Sequence, residues 1–256
     1  MRSFYFLLAT LSVFIFSCKK NTSKTASDNP SGSCTCLNDN TGFSSANSSS
    51  CYGFLSMTTY SDMTGSMPVS YVATRAFFSG VANYQESANS TVMVDSVCLN
   101  QQSLNSVKDS NGNHMYYEND YNTLPLQQAW SVFGANGIPT FTYTASINNP
   151  VADFSTLPAS ISLSLVKSFG IHGVTNITNG TAIIFSESNS SNNNVSVALK
   201  EGSNEVCFPK DQLNQVGAGP ARILIILENK TVKVFNGKNF AFSKKLQYEK
   251  KITLNP

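Results

Sequence analysis

Four Asn-Gly pairs, at 111–112, 136–137, 179–180 and 236–237, punctuate runs in which polar and apolar residues alternate with a period of two. Each pair accepts positive φ at little steric cost, as tight hairpins require. In YVATRAFF, Tyr71, Ala73 and Arg75 alternate with Val72, Thr74 and Ala76, and in STVMVDSVCL, Val92, Val94 and Ser96 alternate with Met93 and Val97. Strand side chains point to opposite faces in turn, so this period sends one set to a core and the other to water. Comparable runs continue from HMYYEN and QQAWSVFG to YEKKITL, and no window of twelve residues beyond the N-terminal segment carries a helical stripe. RILIILE is apolar on both faces, as suits a strand in the middle of a sheet, and PKDQLNQVGAG predicts one short helical turn crossing between sheets. The expected fold is all-β, an antiparallel sandwich of many short strands.

TVKVFNGKNFAF raises a question of register. A two-residue loop at Asn236-Gly237 pairs Val234 with Asn239 and Val232 with Ala241. A three-residue loop places Val232 and Val234 on the face of Phe240 and Phe242, and the apolar count favours such a longer or bulged turn.

Residues 1–17 have the parts of an export signal: a basic Met1-Arg2 start, an apolar run from Phe4 to Phe16, and small Ser17 before Cys18. Thirteen residues span only ~20 Å as a helix, short of the ~30 Å hydrocarbon core. Ile15-Phe16-Ser17-Cys18 resembles the lipobox of bacterial lipoproteins. That resemblance implies cleavage before Cys18 and acylation of its thiol and new amino group. Several acyl chains anchor firmly where a single one does not. Lys19 stands where lipoproteins retained at the inner membrane carry Asp, so the resemblance implies an outer-membrane address and the lipid surface as a first partner.

Charged residues are only 12% of the chain, with Ser, Asn and Thr in their place. NTSKTASDNPSGS buries too little to offset ordering entropy, so residues 18–64 are expected to form a flexible, lipidated tether, with the folded region starting near Val69. Beyond it, residues 25–150 hold two basic and eight acidic residues, against eleven and seven in 151–256. This asymmetry suggests two packed β modules, 65–134 and 135–256. Seven lysines fall between Lys230 and Lys251, where Glu249 is the one acid. Without interleaved arginine they read as guards of exposed strand edges rather than as a nucleic-acid patch.

A second resemblance covers roughly residues 70–256. WSVFGANGIPTFTYTASINNP, LPASISLS and NGKNFAFSKKLQYEKKITL are similar to a group of bacterial surface lipoproteins with immunoglobulin-like β-sandwich regions. It implies that the two modules are immunoglobulin-like, and it carries no catalytic residue over.

Sequence signs of chemistry are few. Gly-x-Ser-x-Gly and His-Glu-x-x-His do not occur, and VGAGPAR lacks the third glycine of a dinucleotide loop. DSNGNHMYYEND has His114 where a calcium loop needs glycine, so it reads as a solvated hairpin. His114 with Glu118 and Asp120 is a weaker reading, an acid–base set, and His172 reads as an exposed loop residue. Cys34, Cys36, Cys51, Cys98 and Cys207 are an odd number that leaves pairing open, with Cys98 and Cys207 read as small buried hydrophobes. No catalytic residue, metal, cofactor or nucleic-acid partner is expected. Aromatic residues offer the remaining signal: Trp130 at strand period is a core residue, whereas Tyr117 and Tyr121, near an Asn-rich turn, are candidate contacts for a glycan or an envelope protein.

Overall fold

The computed structural model describes residues 50–256 apart from 66, 84–90, 109–110, 122–123, 165–166 and 188–193. The signal segment, Cys18, Cys34, Cys36 and the expected tether up to residue 49 lie outside the described residues. Seventeen strands and one helix follow in order: β1 (Cys51–Met63), β2 (Val69–Asn83), β3 (Ser96–Leu99), β4 (Gln102–Ser103), β5 (Asn105–Lys108), β6 (His114–Tyr121), β7 (Gln127–Phe133), β8 (Phe141–Ser146), β9 (Val151–Asp153), β10 (Ser160–Ser162), β11 (Lys167–Gly170), β12 (His172–Thr175), β13 (Asn179–Ser186), β14 (Asn194–Leu199), β15 (Glu205–Phe208), α1 (Lys210–Val216), β16 (Gly219–Phe235) and β17 (Lys238–Asn255). The fold is an all-β sandwich.

Its backbone is a nine-stranded sheet, eight strands in the order β14-β13-β16-β17-β1-β2-β6-β5 with β10 as the ninth, off this path against β17. Most neighbours are antiparallel, but β1 lies parallel to β17, in register from Gly53↔Phe240 to Met63↔Lys250. Where β1 ends, β10 takes over that side of β17, pairing Ser160 with Thr253. Smaller sheets, β4-β3-β7-β8, β11-β15 and β9-β12, complete the second layer.

Two hydrophobic clusters fill the space between layers. One joins Leu55, Phe78, Phe240 and Phe242 of the large sheet to Val97, Leu99, Trp130 and Phe141 of the four-stranded sheet. The other joins Ile184, Ile223, Ile225 and Leu227 to Ile171, Phe208, Leu213 and Val216. Each such apolar side chain contributes ~1.5–3 kcal/mol on full burial. β17 serves both clusters, with Phe240 and Phe242 in one and Ile252 and Leu254 in the other. Between them sits Lys244, fully buried, its Nζ donating to Pro125 O (2.6 Å) and Leu126 O (2.9 Å).

Four expectations are corrected. Folding begins at Cys51 rather than near Val69, so the last third of the stretch read as tether is a sheet strand. Cys51, Gly53, Leu55 and Met57 are its core-facing set, and the half-buried Tyr52 and Phe54 and the buried Ser56 between them conceal the alternation. The β16–β17 turn is the two-residue loop, with Val234↔Asn239 and Val232↔Ala241. Asn236 and Gly237 both take positive φ (49° and 75°), which suits a tight hairpin and needs no bulge. Val232 and Val234 then face away from Phe240 and Phe242, which find their partners in the second layer instead. Five of the clustered lysines guard no edge, because they lie on β17, which is flanked by β16 and by β1 and β10, whereas Lys230 and Lys233 lie on the stretch of β16 beyond its last pair with β13, Asn179↔Glu228. Finally, Cys207 is disulfide-bonded rather than a plain buried thiol. Other readings stand: Trp130 is core, β16 is central, and α1 crosses from the β11-β15 sheet to the large one.

Candidate functional site

The face of the large sheet turned away from both clusters is built by the register itself. Pairs Tyr60↔Tyr71, Thr58↔Ala73, Ser56↔Arg75 and Phe54↔Phe77 lie on this face of β1 and β2, and Arg75↔Tyr117 and Asn105↔Tyr117 carry it onto β6 and β5. On the other side Gln247 follows Tyr60 and Lys245 follows Thr58. Large and small side chains are sorted along it. The rings of Tyr60 and Tyr71 stack at 4.8 Å with 16° between planes, and the Arg75 guanidinium lies 5.7 Å from the Tyr60 centroid. Thr58 and Ala73, paired between the Arg75 and Tyr60 positions, are buried, as are Ser56, Phe77, Ala241 and Ser243 on the same face. A ring pair with a cation on its face is a cation–π arrangement, contributing ~0.5–1 kcal/mol when exposed.

Charge around this aromatic centre is balanced. Arg222 bridges Glu187 and Glu249, the latter at 2.9 Å, and Lys245 pairs with Glu228 at 3.6 Å. Asp62 accepts hydrogen bonds from the Thr64 hydroxyl (2.6 Å) and the Thr64 N–H (2.8 Å), which hold its carboxyl below the usual range. At the β5 edge Asn105 Nδ2 donates to Glu118 Oε2 at 3.0 Å. Tyr71 is the most exposed of the rings, at 42%. The arrangement offers ring faces, phenol hydroxyls, a guanidinium and amide groups, the chemistry that meets sugar C–H faces and hydroxyls or a polar peptide.

Tyr117 is half-buried on this face, beside Arg75. The β6 backbone places Tyr121 opposite Val72, and its side chain lies outside the described residues. Tyr117 therefore shares a sheet face with Tyr60, Tyr71 and Arg75, which were not singled out. The signal for them was available: Tyr60 falls on the even-numbered set of CYGFLSMTTY, and Tyr71 and Arg75 share a face of YVATRAFF.

His114 and Glu118 sit on one strand four residues apart, about 13 Å at strand rise, so they do not form an acid–base pair. The His114 N–H donates to Thr91 Oγ1, and its buried Nδ1 has no partner. His172 is exposed at the start of β12, opposite Asp153. Cys98 carries a free thiol 3.6 Å from Ser103 Oγ. Among the described residues no group of three or more His, Cys, Asp or Glu is placed to hold a metal ion.

A scan against protein-family models finds no match, and a search of curated proteins finds no similar sequence.

Proposed function

We propose that this chain is a lipid-anchored envelope protein that binds rather than catalyses. Acylated Cys18 holds it in the outer membrane, the residues that follow give it reach, and the outward face of the large sheet receives a glycan or another envelope protein. Reading its two cores as immunoglobulin-like modules belongs to the same proposal. The observation that supports binding most directly is the Tyr60–Tyr71–Arg75 ladder with Tyr117 beside it, ordered by backbone register and exposed at the Tyr71 ring. Support for the anchor is the Ile15-Phe16-Ser17-Cys18 junction.

Two experiments test the two halves separately. Mass spectrometry of the mature protein should find an acylated residue 18 as the first residue, and Cys18→Ser should move the protein from the detergent phase to the aqueous one; an unmodified amino end elsewhere refutes the anchor. A glycan array probed with the soluble Cys18→Ser chain should give hits that weaken when Tyr60 and Tyr71 are replaced by Ala. Hits that survive that double replacement would place the binding surface elsewhere.

A further inference from the structure

The end of the molecule where β1 begins exposes apolar side chains that neither cluster uses. β2 runs back along β1, so its last residues, Val81 among them, lie beside Cys51, which pairs with Asn83. Val92 N–H donates to Phe78 O at 2.8 Å and brings Met93 to the same end. Asn136 Nδ2 donates to Met93 O (2.8 Å), and Asp95 N–H donates to Phe133 O (2.9 Å). Lys238 Nζ donates to Gly137 O (2.5 Å) and stands 4.6 Å from the Tyr52 ring centre, which sets the β16–β17 turn and Val234 alongside. Asn239 Nδ2 closes the circuit by donating to Ser50 O at 3.0 Å. Val81, Met93, Phe133 and Val234 are 47–63% exposed here.

We infer that this tip rests on the lipid surface. Three observations choose a membrane as the occupant, and the inference builds on the anchored reading above. First, the segment leading from Cys18 enters the fold at this end, at residue 50. Thirty-one residues lie between the two. Second, apolar side chains are interleaved with Lys233 and Lys238, against Asp95 as the described acid among the contacts above. Lysines near an anionic surface contribute about 1 kcal/mol each. Third, the other end of the β1–β2 ladder also exposes Met67 and Val69, but it stands about 40 Å from the entry point at strand rise. Four half-exposed side chains hold a free protein weakly. An anchor supplies an effective concentration near the millimolar range, which makes such a contact persistent. In this seating Tyr60 and Tyr71 stand about 30 Å along the β1–β2 ladder from the tip at strand rise, on the side of the sheet.

The test attaches the protein without depending on cellular acylation. Residues 18–256 carrying Cys18→Ser and an N-terminal hexahistidine are held on liposomes of phosphatidylcholine and phosphatidylglycerol containing a nickel-chelating lipid. Acyl-chain-brominated phosphatidylcholine serves as quencher. Trp130, 1% exposed, gives a constant background. A reporter introduced by Phe133→Trp should lose most of its emission and shift to the blue, whereas one introduced by Met67→Trp should do neither. Adding Val234→Asp should weaken docking of the first reporter by at least about tenfold, the equivalent of one lost apolar side chain. Equal quenching at both positions, or none at 133, overturns the inference. So does a dimer in sedimentation velocity that Val234→Asp dissociates while the reporter at 133 stays unquenched, since a second copy would then occupy the tip. An unacylated mature chain in the cell would sink the anchored reading while leaving the liposome result intact, so the two failures are separable.

Discussion

Replacing Tyr116 by Phe removes one oxygen from the interior and leaves the ring in place. That oxygen has unusual duties. The Tyr116 hydroxyl donates to Val94 O at 2.5 Å and accepts from Val94 N–H at 2.9 Å. A side chain thus serves both backbone groups of one residue, as a neighbouring strand would. Both residues are fully buried, and the Ser106 hydroxyl is a further neighbour. Phenylalanine leaves one N–H and one C=O unpaired, each costing ~1–3 kcal/mol, offset in part because a phenyl ring no longer buries a hydroxyl. The expected net loss is about 2–4 kcal/mol, or a urea midpoint lower by roughly 1–2 M at the m-value of a small domain. Urea unfolding followed by circular dichroism measures it, and amide exchange at Val94 should accelerate in the same variant. Tyr71→Phe, on the open face, should change stability by less than ~0.5 kcal/mol. A Tyr116→Phe loss under ~1 kcal/mol with unchanged exchange at Val94 would refute the claim that this hydroxyl stands in for a strand.

Further outcomes follow from buried or crowded groups. Burial raises the Tyr116 and Tyr248 phenols above the ordinary tyrosine range, so the folded state keeps protons that the unfolded state releases near pH ~10. Their stabilisation is present below that pH and lost above it, and an alkaline titration should show the wild type's advantage over Tyr116→Phe shrinking. Lys244 titrates the other way: burial lowers its ammonium, so the unfolded state holds the proton longer. Wild-type stability relative to Lys244→Met should therefore rise with pH between the lowered folded value and ~10.4, and a flat difference would contradict the buried position. At Gly134 an added Cβ would lie 2.1 Å from Ile138 O and 2.4 Å from Pro139 C, backbone atoms that cannot swing aside. Gly134→Ala should lower stability by about 2–4 kcal/mol in thermal unfolding, and a neutral result would mean that the 134–139 loop rearranges freely.

Much of the fold was legible because β structure writes itself locally. Period-two alternation, Asn-Gly turns and a doubly apolar RILIILE are set by which neighbours a residue has along the chain, and the all-β class, the central β16 and the buried Trp130 follow from them. Nothing local marks the half-burial of Tyr117, which was read as a contact candidate from its closeness to an Asn-rich turn. The lysine-rich C-terminal strand and the CYGFLSMTTYSDM strand were misread because their environment comes from residues far away. Lys244 reads as a solvated charge until the backbone of Pro125 and Leu126 arrives to accept its hydrogen bonds, and Ser56 and Thr58 read as tether until β2 and β17 flank β1 and both residues are buried.

The hairpin register shows the same division. Counting valines against phenylalanines assumed that one face must hold both, whereas a sheet covered on one side can leave Val234 in water and place Phe240 and Phe242 under a second layer. Sequence alone decided class, strand positions and the expected anchor at Cys18. Tertiary structure alone decided that β1 slots in parallel beside β17. That pairing joins residues almost two hundred positions apart, and no local pattern encodes it, because side-chain alternation specifies a face but not the partner across the hydrogen bonds. The apolar tip at the chain's point of entry gains Val234 only through that choice of partner, whereas the Tyr60–Tyr71–Arg75 ladder comes from the antiparallel β1–β2 register.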